Sequence, residues 1–190
     1  MKVRRFALIL AALWLNASHA QESREPAAVS DFLMSDMNGR PVQYAALKGK
    51  ITVVIFFSTR CPLSNAFNYR RNTLYLDFKD RVNFIMVDSN SNESLSEMRD
   101  YARGVGFDFP VYRDTNHEAA DRLGAKVTTD TFVLDSSGTI RYHGYIEDSP
   151  NPTRVKNRGL REAIDAVLSG MPVAVPETKA IGCTIRRDKL

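Results

Sequence analysis

Cysteine is nearly absent from this chain, with two residues in 190, Cys61 and Cys183. Two are too few for the disulfide framework that holds small secreted domains together. Histidine is equally scarce at three residues, one of them the early His19, and the remaining His117 and His143 form no closely spaced ligand motif. Long apolar runs are missing too. The stretch "FALILAALWL" near the start has ten residues, whereas a bilayer-crossing helix needs about 20. There is no internal repeat, no low-complexity tract, no basic block and no basic-aromatic stripe, so nothing points to nucleic acid.

The first twenty residues have a shape of their own. Lys2, Arg4 and Arg5 precede the apolar run, and the small-residue stop "SHA" follows it, the pattern of a secretory signal cleaved after Ala20. Cleavage predicts a periplasmic or secreted protein without a membrane anchor. Removing that leader from 26 basic and 22 acidic residues leaves 23 against 22, so the net charge falls from +4 to +1. The remaining chain of about 170 residues is long enough for one domain with its own core. In an oxidising compartment, the simplest fate of an even pair of cysteines is a disulfide.

Hydrophobic patterning divides the mature chain. Residues 21 to 30, "QESREPAAVS", lack periodicity and read as a flexible lead. The domain then spans residues 31 to 170. It opens with a hairpin around Asn38 and Gly39, a dipeptide suited to the positive φ of a tight turn. "ITVVIFF" is β-branched and aromatic without alternation, as in a strand buried on both faces. From Pro62 to about Lys79 the apolar residues recur at helical spacing, which makes Cys61 the N-cap. "VNFIMVD" is a second buried strand, and Ser94 with Glu97 forms a capping box for the next helix. A short strand "FPVYRD", a short helix ended by Gly124, two strands around Asp135 to Gly138, and an amphipathic helix stopped by Gly170 complete the domain. Glu147 and Asp148 read as a solvated loop. This order predicts an α/β fold with a central mixed sheet flanked by helices. Residues 171 to 190, with two prolines and no helical period, read as an extended tail over the surface carrying Cys183.

Taken together, "NGR", "LKGK", "FFSTRCP" at a strand-to-helix turn and "GA" before "TFVLDSSGTIRYHG" resemble the redoxin, or peroxiredoxin-like, branch of the thioredoxin-like superfamily. That branch includes peroxiredoxins and exported thiol-disulfide oxidoreductases. The resemblance implies a thioredoxin-like fold with Cys61 as the attacking cysteine, and no cofactor or resident metal. The chain departs from the pattern at several places. Ser64 stands where a CxxC motif has its second cysteine, and Thr129 stands where a cis-proline is usual. Ser58 matches the hydroxyl residue three positions before a peroxidatic cysteine, yet Val54 replaces that motif's proline and "KVTTDTF" lacks its arginine.

A thiol reacts as its thiolate, so Cys61 needs its pKa lowered from about 8.5. Its N-cap position offers free N–H groups and the helix dipole, while Arg60, Arg70 and Arg71 offer positive charge. Ser64 is a candidate hydrogen-bond donor to the sulfur. The competing reading of Cys61 is a small buried apolar residue. Thirteen residues separate Gly170 from Cys183, a span of up to about 43 Å, so the tail can reach. Redoxins of this type carry a terminal Gly-Cys, and the resemblance makes Cys183 a candidate resolving thiol. A permanent staple and a bridge between chains are the other two fates. The expectation is therefore an exported thiol oxidoreductase. Its partner is a thiol or disulfide protein, or a peroxide. The alternative is a copper-binding or structural module, with the two cysteines, a histidine, and Met34 or Met37 as candidate ligands.

Overall fold

The computed structural model describes residues 28–187. The expected leader, most of the lead, and the last three residues of the tail lie outside the described residues.

A run of β-branched and aromatic residues is stable only where both faces are covered, and "TVVIF" becomes the fully buried central strand β3 (Thr52–Phe56). It pairs in parallel with β4 (Asn83–Asp88) on one side and antiparallel with β6 (Thr131–Leu134) on the other. Beyond them lie β5 (Val111–Arg113), parallel to β4, and β7 (Ile140–Gly144), antiparallel to β6. The hairpin of β1 (Leu33–Ser35) and β2 (Pro41–Gln43) closes the β5 edge, giving the seven-strand order β2-β1-β5-β4-β3-β6-β7. Its turn depends on Asp36, whose carboxylate takes the N–H groups of Asn38 and Arg40, and on Gly39 at φ 80°.

Alternate residues of β3, and Phe57 just after it, feed two cores. Val53, Ile55 and Phe57 meet Leu74 and Phe78 of α3 (Asn68–Phe78), Met98 of α4 (Leu95–Val105), and Leu160, Ala163 and Ile164 of α6 (Gly159–Leu168). Val54 and Phe56 meet Phe32, Tyr44 of the one-turn α1 (Tyr44–Leu47), and Ala119, Ala120 and Leu123 of α5 (Glu118–Leu123). The Ser94/Glu97 capping box opens α4, and Gly106 closes it in the left-handed conformation.

The structure corrects the sequence reading in three places. The helix expected to run from Pro62 to about Lys79 is two helices, α2 (Pro62–Asn65) and α3, because the N–H of Phe67 bonds the Ser64 carbonyl three residues back and its ring turns into the core. Glu147 is not a solvated loop residue; it is mostly buried and ion-paired with Arg70. The tail does not merely lie over the surface: Ile185 is 4% exposed and packs in the second core. No helix among the described residues is long and apolar enough to cross a membrane.

Candidate active site

Strand β3 delivers the loop 57–61 to the carboxyl end of the sheet, where Pro62 starts α2 and Cys61 caps it in an extended conformation. The Ser64 N–H points at Cys61 Sγ from 3.5 Å. Cys61 itself is 3% exposed. Its N–H and that of Arg60 both donate to Ser58 Oγ at 3.1 Å, and the Ser58 hydroxyl donates to a carboxylate oxygen of the buried Glu93. The other oxygen of Glu93 accepts the Thr59 N–H at 2.6 Å and the Thr59 hydroxyl. One buried carboxylate thus fixes the loop that carries the cysteine.

A second buried charge lies against Ser64. Arg71 of α3 is 1% exposed, and its Nη2 donates to the Ser64 carbonyl and, at 2.9 Å, to Ser64 Oγ, which also accepts the Ser58 N–H at 3.2 Å. Its Nε and Nη1 have no hydrogen-bond partner, and among the described residues it makes no ion pair. Burial pushes the pKa of this guanidinium down to about 10.

The two cysteines are joined. Cys61 and Cys183, 122 positions apart in sequence, form a disulfide with their Cα atoms 6.0 Å apart. Thr128 aligns the tail by donating its N–H to the Cys183 carbonyl at 2.8 Å and accepting the Cys183 N–H on its hydroxyl at 3.2 Å. Thr129 Oγ1 donates to the Ile181 carbonyl at 3.0 Å. The Ile185 N–H reaches the Lys126 carbonyl at 2.9 Å, and Arg186 exchanges hydrogen bonds with Asn90 Oδ1 and the Ser91 N–H.

The expected site residues separate into groups. Cys61, Ser64, Ser58, Cys183 and Thr129 converge, with Thr129 positioning the tail. Arg60 does not face the sulfur, since its guanidinium forms a bidentate pair with Glu97 at 2.6 and 2.8 Å. The charge near the site is Arg71 instead. His117 caps α5, and His143 pairs with Asp130 at 3.3 Å.

Sequence reasoning missed the acidic pair Asp88 and Glu93. Asp88 Oδ1 accepts both the N–H and the side-chain amide of Asn90 at 2.8 Å. Burial, with the neighbouring charge of Glu93, pushes its pKa up to about 8 despite Arg113 at 3.5 Å. The available signal was an acidic residue closing a strand buried along its length but for its first residue.

A family model described as AhpC/TSA matches residues 26–143. The chain belongs to the AhpC/TSA family. Thiol-disulfide oxidoreductase ResA of Bacillus subtilis (strain 168) is 30% identical over 112 residues, covering 58% of this chain and 61% of ResA. The match thus spans less than two thirds of that relative. An uncharacterized conserved protein from Geobacillus kaustophilus superposes with a TM-score of 0.79 at 26% identity, covering 86% of this chain and 92% of its own. A hypothetical protein from Sinorhizobium meliloti 1021 gives 0.76 at 27% identity, covering 85% and 93%. The fold is thioredoxin-like, with the mixed sheet and flanking helices that the order of elements predicted.

Proposed function

We propose that this AhpC/TSA member is an exported thiol-disulfide oxidoreductase whose two cysteines cycle between disulfide and dithiol. One observation carries the reading: the disulfide links a buried helix-cap cysteine, with an N–H on its sulfur and an uncompensated cation one serine away, to a cysteine on an exposed tail segment. In this reading Cys61 is the nucleophile and Cys183 the resolving thiol. The backbone N–H of Ser64 steadies the thiolate, while its hydroxyl, occupied by Arg71 and the Ser58 N–H, links the site to that cation. The similarity to a protein described as a thiol-disulfide oxidoreductase agrees with this chemistry. Disulfides are favoured over hydroperoxides as substrate because the Ser58 hydroxyl is committed to Glu93 and to two backbone N–H groups.

The test uses the chain secreted from a bacterial host. N-terminal sequencing is expected to start at Gln21. The reduced protein is then offered the disulfides of insulin, and separately hydrogen peroxide. Insulin reduction supported by dithiothreitol and abolished by Cys61→Ser bears the reading out. Peroxide consumption without insulin reduction makes it a peroxidase. Stoichiometric Cu(I) binding with neither activity makes it a metal-binding module.

A further inference from the structure

We infer that the disulfide is opened from the tail side: a donor thiolate attacks Cys183 Sγ, and Cys61 Sγ departs as the leaving thiolate. The inference rests on the thiol-exchange reading above and assigns its electron-entry point.

Access is the first ground. A thiolate displaces along the S–S axis, so each sulfur is attacked from the side opposite its partner. Cys61 is 3% exposed and belongs to the loop 58–61, which Ser58, Thr59 and the buried Glu93 lock in place. Cys183 is exposed, between exposed Thr184 and partly exposed Gly182, on a segment open to solvent. A donor large enough to be a protein meets Cys183 first.

The leaving group is the second ground, and it comes from different atoms. Exchange is faster when the departing sulfur is the better-stabilised thiolate. Charge released on Cys61 falls 3.5 Å from the Ser64 N–H, and Ser64 Oγ lies 2.9 Å from Arg71 Nη2. Among the described residues, Arg71 is a buried cation without a counter-ion and with two unsatisfied nitrogens. A thiolate at Cys61 supplies the negative charge that guanidinium lacks. Among the described residues, the polar contacts of Cys183 are its own amide and carbonyl with Thr128, which give its sulfur no comparable support.

A dithiol donor completes the reduction within one encounter. Its first thiolate forms a mixed disulfide with Cys183 as the Cys61–Cys183 bond breaks and the bonding pair stays on Cys61. Its second thiol, after losing a proton to solvent, attacks the donor sulfur of the mixed disulfide and releases Cys183 as a thiolate, which takes up a proton. Two electrons pass to the pair, and the donor leaves as a disulfide.

Glutathione, a monothiol, completes the reduction only through a second molecule, so the first mixed disulfide is open to trapping at early times. The oxidised full-length protein is mixed with excess glutathione, trapped with N-ethylmaleimide at successive times, and mapped by peptide mass spectrometry. Glutathione on Cys183 with maleimide on Cys61, in at least tenfold excess over the opposite isomer at the earliest times, is the expected result. The opposite isomer, or equal amounts of both, overturns the inference and leaves thiol turnover standing. A disulfide that resists both glutathione and dithiothreitol overturns the proposed function, and the inference with it.

Discussion

Arg71 sits where a folded protein rarely tolerates a cation, in the core with two of its nitrogens unbonded. An uncompensated buried charge is costly, and the cost is reduced when a negative charge forms nearby. In a Cys183→Ser protein, Arg71→Met is expected to raise the alkylation midpoint of Cys61 by about one pH unit, while Arg71→Lys keeps most of the depression. A packing role alone lowers the melting temperature and leaves that midpoint unchanged. Asp88 makes a separate case. Its carboxyl ionises near 3.8 when unfolded and at about 8 when folded, so between those values the folded state holds a proton that the unfolded state has released. Stability from this group accordingly falls as pH rises through that window. Asp88→Asn keeps an oxygen for the two Asn90 donors and cannot ionise. It is expected to raise the melting temperature by several degrees more at pH 8 than at pH 4. Equal shifts at the two pH values, read by calorimetry, count against the buried proton.

Among the elements, the tail depends most on fit. A Cβ on Gly182 meets Thr129 Oγ1 at 3.0 Å and the backbone nitrogens of Thr128 and Thr129 at 3.2 Å. Two of those three neighbours are main chain and cannot swing aside. Overpacking of this kind costs about 1–3 kcal/mol, so Gly182→Ala is expected to lower the disulfide's equilibrium constant against glutathione by about fivefold or more. An unchanged constant means the tail has slack at this point. This register was not legible in the sequence, because "IGCTI" carries no period and its partners Lys126 and Thr128 lie more than fifty residues away. The strands were legible because burial on both faces leaves a β-branched run with nowhere else to go, and α4 because its cap residues act locally. The break between α2 and α3 was hidden, since Phe67 keeps helical spacing while its amide shifts to a three-residue hydrogen bond. Cys61 announced itself by position after a buried strand. Arg71 was visible only as one of several nearby arginines, and Arg60, closer in sequence, was committed to Glu97 across the loop.

At the scale of the whole molecule, the disulfide closes most of the domain into one loop, and the tail is anchored on both sides of it. Thr178 holds the near side, with its N–H on the His143 carbonyl and its hydroxyl on the Tyr145 N–H and the Tyr142 hydroxyl. Ile185 holds the far side, buried among the residues under β3. Burying an isoleucine contributes about 1.5–3 kcal/mol and each net hydrogen bond about 1 kcal/mol, so neither anchor depends on the S–S bond. Reduction frees the unfolded chain from a loop of 122 residues; the chain-entropy model values that at about 4–5 kcal/mol, or roughly 10 °C in melting temperature for a domain of this size. The folded tail is expected to change only between its anchors. Hydrogen exchange on the reduced protein should show the amides of Thr128 and Cys183 losing protection while those of Thr178 and Ile185 keep it. A strap that lifts between fixed ends uncovers Cys61 for a substrate and returns Cys183 without a search, which is what a fast resolving thiol requires. Loss of protection along the whole tail implies that the disulfide is itself the anchor and that Cys183 acts as a staple.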